Sequence, residues 1–101
     1  MIGTDFVAKG INVSSRIIGG VAYIYMEDKK ELVQFNEVGS FVWSCVTGTK
    51  RVEQIVVLCQ EQYDDPSGQI PEAITDFLGE LEKEGFVVSS ATEFEGVMTN
   101  D

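Results

Sequence analysis

Histidine is absent from the 101 residues. That removes the usual general base near neutral pH, the commonest metal ligand and every Ser-His or Cys-His nucleophile pair. The two cysteines, Cys45 and Cys59, lack CxxC spacing, so no zinc donor set exists and no cofactor is expected. Both fall on apolar helical stripes, the setting of a buried, reduced thiol. Positive charge is scarce, with 7 Lys and Arg against 17 Asp and Glu and a net charge of -10. Duplex binding draws most of its affinity from basic side chains on phosphates, so nucleic acid is not expected as a partner. A basic peptide or basic protein surface suits this charge better. No apolar run approaches the roughly 20 residues of a membrane span. Met1 to Gly10 lacks a basic region followed by an apolar block, so no secretory signal is read and the cytoplasm is the expected location.

What is present is enough for one core. A chain of 101 residues, 44% hydrophobic, has the size and composition of a single globular domain. Its pivot is the stretch from Glu31 to Trp43. Leu32, Val33 and Phe35 read as a strand, and Asn36 then opens an amphipathic helix with no loop between. Upstream, Val13 to Ile18 and Val21 to Met26 read as strands joined at Gly19-Gly20. No lysine followed by Ser or Thr accompanies those glycines, so they are turn chemistry and not a phosphate loop. With Glu31 to Phe35 the two strands make a three-stranded antiparallel meander.

Downstream the period changes to that of helices. Asn36 is a good N-cap and Glu37 complements the helix dipole. Val38, Phe41, Val42, Cys45 and Val46 share a face, Trp43 lies off it as a core anchor, and Gly48 is the expected stop. A second helix is expected from Arg51 to Tyr63, with Val52, Ile55, Val56, Cys59 and Tyr63 on one face. Pro71 suits the start of a third, whose stripe is Ile74, Phe77, Leu78 and Leu81. Gly85 is its natural cap, and Phe86-Val87-Val88 can return as a short strand. The expected class is α+β, a winged helix-turn-helix-like domain with a three-stranded antiparallel sheet followed by three helices. Its expected boundaries are 12–88, with an N-terminal extension at 1–11 and a flexible acidic tail at 89–101.

The ordered set of Arg16, Gly19-Gly20, Leu32 to Asn36, and Val38-Gly39-Ser40-Phe41-Val42-Trp43 resembles the PqqD-like family. Gly48, Ile55, Tyr63, Phe77-Leu78, Leu81 and Gly85-Phe86 continue the similarity over Val13 to Val88. The most specific part is Asn-x-x-Gly-x-x-x-Trp directly after a strand. One departure is Arg51, where family members often carry a capping Thr, so that Thr49 or water is expected to substitute. The acidic tail is another. The resemblance implies a non-catalytic recognition element that holds the leader segment of a ribosomally made precursor peptide. It implies presentation of that peptide to a modifying enzyme, frequently a radical SAM protein. It also implies that the leader adds as a strand along the third strand, in the groove beside the third helix.

On this chain the peptide-binding edge would be Glu31, Leu32, Val33, Gln34 and Phe35. The pocket would draw on Ile74, Phe77, Leu78 and Leu81, with Glu80 and Glu84 as an acidic rim favouring Lys or Arg in the leader. Strand side chains alternate, so part of the strand set must be core, and the helical stripe is largely core by its spacing. Three other readings compete with this one. A winged-helix DNA reader needs a basic recognition helix, whereas Glu72, Asp76, Glu80, Glu82 and Glu84 would repel phosphates. An enzyme needs a catalytic constellation, and none stands out from the acidic surface. A scaffold subunit that binds only its partner enzyme would use the same exposed surfaces. A bare strand edge can also pair with its own copy as a homodimer. Arg16 is expected to pair with an acidic neighbour, and Phe94 to fold back over the groove from the tail.

Overall fold

The computed structural model describes residues 1–94. In chain order its elements are β1 (Phe6–Lys9), β2 (Val13–Ile18), β3 (Val21–Met26), β4 (Glu31–Gln34), α1 (Glu37–Cys45), α2 (Val52–Gln62), α3 (Ile70–Glu84) and β5 (Val87–Ser90). The expected meander is there, an antiparallel sheet in the order β2-β3-β4. The loop between β2 and β3 is the two residues Gly19 and Gly20, with φ of 59° and 81°. Two successive positive φ values make the tight turn whose twist matches a hairpin, and only glycine adopts them freely.

Alternation in β3 buries Ala22, Ile24 and Met26 and leaves Tyr25 on the outer face. Residues directly opposite share a face. The pairs Ile24–Val33 and Met26–Glu31 therefore put Val33 and Glu31 on the helix side, and Tyr25–Leu32 and Tyr23–Gln34 put Leu32 and Gln34 outside. Arg16 pairs with Tyr23 on that outer face, exposed, and makes no ion pair among the described residues.

A hydroxyl converts the end of β4 into a helix. Phe35 N–H still donates to Ala22 C=O at 3.0 Å. The return bond is interrupted by Ser40 Oγ, which accepts from Ala22 N–H at 2.8 Å and donates to Phe35 C=O at 3.2 Å. The ladder stops without leaving either group unsatisfied, which a buried backbone requires. One residue later Asn36 Oδ1 accepts from Gly39 N–H at 2.8 Å, the expected N-cap.

Phe35 is the hub beneath this junction. Its ring meets Trp43, Phe77 and Phe86 edge-on at centroid distances of 5.8, 5.5 and 6.2 Å. Such T-shaped contacts set the positive rim of one ring against the negative face of another. Trp43, 1% exposed, is a core anchor as expected. Cys45 and Cys59 are buried free thiols; burial raises both pKa values, that of Cys59 to about 11. Gly85 caps α3 in the left-handed conformation.

Besides Arg16, which has no ion pair among the described residues, the structure corrects the sequence reading in several places. The first eleven residues, read without an element, contain β1, which pairs antiparallel with β5 from Phe6–Ser90 to Lys9–Val87. Val7 is fully buried there. Thr49 does not cap α2; its hydroxyl meets Thr47 Oγ1 at 2.9 Å. Val52 and Glu53 donate their N–H groups to Asp5 and Gly3 C=O, both at 2.9 Å, and Gln54 Oε1 accepts from Arg51 N–H at 2.7 Å. The N-terminal segment thus satisfies first-turn amides that have no partner within the helix. Helix α1 ends at Cys45, before Gly48, and Val38 is exposed instead of lying with its stripe. Finally, Phe94 N–H donates to Gly48 C=O at 3.1 Å, at the α1–α2 turn and not across the groove. The expectation of a flexible tail lies, from residue 95 onward, outside the described residues.

Candidate functional site

The phase of the β3–β4 ladder decides which groups of β4 are free. Hydrogen-bonded and non-bonded pairs alternate along antiparallel strands. Because Phe35 N–H is bonded to Ala22, the bonded residues of β4 are Phe35, Val33 and Glu31. Leu32 and Gln34 consequently turn their N–H and C=O groups away from β3, toward the open side. β4 is the margin of its sheet, and neither residue has a backbone partner elsewhere among the described residues. Leu32 is 68% exposed.

Helix α3 runs beside this margin in the opposite direction. Phe77 touches Phe35 at the end of β4, while Glu84 Oε1 lies 3.1 Å from Lys29 Nζ in the turn before β4. Between the two elements, where α1 begins, a cavity of about 180 Å³ is lined by Asn36, Val38, Gly39, Ala73, Ile74 and Phe77. Drug-sized ligands occupy roughly 300 Å³ or more, so this space suits one or two side chains. A Cβ on Gly39 would approach Phe35 Cβ at 3.2 Å and Phe77 Cζ at 3.3 Å. The glycine lets α1, β4 and α3 converge there.

The nine candidate residues divide by burial. Glu31, Leu32 and Gln34 are exposed, Val33 is half-buried and Phe35 is 9% exposed. On α3, Phe77 is half-buried and lines the cavity together with the largely buried Ile74. Leu78 is 0% exposed, and it and Leu81 are enclosed in the core. The cavity also uses Asn36, Val38, Gly39 and Ala73, which the sequence reading left out of its site. The signal for three of them was the Asn-x-x-Gly run with Val38 beside it. Ala73 gave none, being one small residue before a stripe position.

The other margin of the sheet, β2, is also unpaired. The space beside it, about 270 Å³, is bordered by Ile17 and Gly20 and by the polar Glu37, Ser40, Ser44 and Gln62 with Phe41 and Tyr63. Among the described residues no cluster of His, Cys, Asp or Glu is placed to hold a metal, and no helix is long and apolar enough to cross a membrane.

A family model for Coenzyme PQQ synthesis protein D (PqqD) matches residues 22–87, more than half of the chain. The chain belongs to the PqqD family. Its matched span includes β3 but for its first residue, β4, all three helices and the first residue of β5, and so the whole β4–α3 site described above. A solved structure titled "TbiB1 in Complex with the TbiA(beta) Leader Peptide" aligns with a TM-score of 0.72 at 22% identity. The alignment covers 79% of this chain and 93% of that one, so the PqqD-type fold extends over nearly all of TbiB1. Curated proteins gave no match.

Proposed function

We propose that this PqqD-family domain is a non-catalytic recognition element for a ribosomally made precursor peptide. It captures the leader segment by strand addition on β4 and presents the remainder to a modifying enzyme, a radical SAM protein, in the cytoplasm. The observation that carries the reading is the outward N–H and C=O groups of Leu32 and Gln34 beside the Phe77 cavity. An extended peptide satisfies such an edge through its own main chain, while alternate side chains supply selectivity. Family membership supports the pathway, and the leader peptide bound by TbiB1 supports the ligand class.

On this reading Leu32 and Gln34 bond the leader backbone, and Glu31, Val33 and Phe35 border its inward side chains. Phe77, Ile74, Val38 and Ala73 enclose one of those side chains. Leu78 and Leu81 act from beneath, by holding Phe77 and Ile74 in position. The test is titration of ¹⁵N-labelled protein with synthetic leaders of precursor peptides encoded beside its gene. Saturable binding with the largest amide shifts at Leu32, Gln34 and Phe77 is expected; binding centred on Ser15 and Ile17 of β2 would overturn the site.

A second reading has its own observation. The outer sheet face exposes Ile18, Tyr25 and Leu32, an apolar surface on which a partner enzyme could rest. If the neighbouring enzyme binds tightly and no leader does, the protein is a scaffold subunit.

A further inference from the structure

The two walls of the β4–α3 groove come from distant parts of the chain, yet they change character in the same sense. On β4 the inward side chains run from apolar Phe35 and Val33 to acidic Glu31. On α3 the row facing the strand runs Ala73, Phe77, Glu80, Glu84, at helical spacings of four, three and four residues. Contacts at both ends fix the alignment: Phe77 against Phe35, and Glu84 against Lys29 in the turn that leads into Glu31. One end of the groove is therefore an apolar cavity and the other carries three carboxylates.

Lys29 engages Glu84, and the neighbouring Lys30 is exposed. Glu31 and Glu80, both exposed, have no ion-pair partner among the described residues. Building on the strand-addition reading, we infer that the groove selects a two-part pattern in the peptide. A large apolar side chain fills the Phe77 cavity, and a Lys or Arg two or four residues away lies between Glu31 and Glu80. Side chains on one face of a strand recur about every 6.6 Å, and two steps cover about 13 Å. Along α3, Glu80 is about 4.5 Å and Glu84 about 10.5 Å from Phe77. Same-face positions two and four residues from the anchor thus fall opposite the carboxylates, and an odd spacing points the basic residue outward. A second copy of the chain is a poor occupant, since it would bring Glu31 and a net charge of -10 against the same acidic wall.

The test is selection from a random displayed library of 12-residue peptides against the immobilised protein, in parallel with the double variant Glu31→Lys/Glu80→Lys. Both positions are exposed, so the variant keeps the fold, checked by its circular dichroism. Peptides selected by the natural protein should pair an aromatic or large aliphatic residue with Lys or Arg at even spacing. The double variant should select Asp or Glu there. Replacing the basic residue by Ala in a selected synthetic peptide should weaken binding about fivefold at low salt and less at high salt. Selected peptides that shift Leu32 and Gln34 amides but carry no basic residue, or that bind both proteins equally, would overturn this inference and leave strand addition standing. If no selected peptide shifts those amides, or if they shift with protein concentration alone, strand addition to this edge fails and the inference falls with it.

Discussion

Two strands of this domain pose the same physical problem and answer it differently. β1 has a second edge beyond its partner β5, and the chain fills it from within. Val7 N–H donates to Lys50 C=O at 3.3 Å, and Gly48 N–H donates to Val7 C=O at 2.8 Å. Lys9 Nζ adds a bond to Val46 C=O at 2.9 Å, and the Arg51 guanidinium stacks 4.7 Å over the Phe6 ring. β4 has the same kind of edge, but the chain leaves Leu32 and Gln34 open and builds a small apolar cavity at its end. A strand edge by itself is neither a site nor a liability. What decides is whether the rest of the chain closes it, and here closure is confined to the end where α2 and α3 must be tied together.

The contrast can be broken most forcefully at the closed end. Removing residues 1–9 takes away β1, the buried Val7 and the acceptors of the Val52 and Glu53 amides. A loss of about 4 kcal/mol is expected in urea unfolding, a large fraction of a small domain's stability. Next is Ser40→Ala, which leaves Ala22 N–H and Phe35 C=O facing each other across a missing hydroxyl. It should cost about 1–3 kcal/mol.

Proline sharpens the comparison on β4 itself. Val33→Pro removes a ladder donor and should lower the urea midpoint clearly. Gln34→Pro removes an outward donor, which edge strands tolerate, and should change stability by less than about 1 kcal/mol. The same Gln34→Pro change should weaken leader binding about five- to tenfold, the worth of one hydrogen bond. Greater destabilisation by Gln34→Pro than by Val33→Pro would show the ladder phase to be reversed.

The last expected effect concerns pH. Burial pushes the Cys59 thiol up to about 11, while an unfolded chain releases that proton nearer 9. The folded state therefore holds more protons between those values, and stability must fall as pH rises through the window. Below about pH 9 the contribution is complete. Lys9, whose pKa burial lowers, acts in the opposite sense as pH approaches its usual value. The clean readout is the difference between wild type and Cys59→Ala, which should narrow from pH 9 to 11.

Much of the frame was legible because its signals are local. Asn36 caps the helix whose first amides it precedes, Gly85 ends α3 through its own positive φ, and β3 announces its buried face by alternation. β1 was not legible for the opposite reason. Its residues, Phe-Val-Ala-Lys, are too few for periodicity, and its partner β5 lies at the far end of the described chain. Val38 was misread because a helical stripe says which residues share a side, not how far along the helix that side stays covered.

For the site, the sequence marked the strand and the helix that would form the groove. It could not say that Leu78 is sealed inside while Phe77, the residue before it, lines a cavity. One residue turns a helical side chain by about 100°, and which of two neighbours meets solvent depends on where the next element stops.

By itself, then, the sequence determined β2 to β4, the three helices, the acidic balance, the Asn36 and Gly85 caps and the absence of imidazole, because each depends on residue identity or on neighbours within a few positions. Only the tertiary structure decided which strand edge is closed and which groups of β4 are free. It alone brought the two acidic wall ends together and left the cavity at Phe77. Those properties are set by hydrogen-bond phase and by contacts between distant segments, and neither is encoded in any single stretch of the chain.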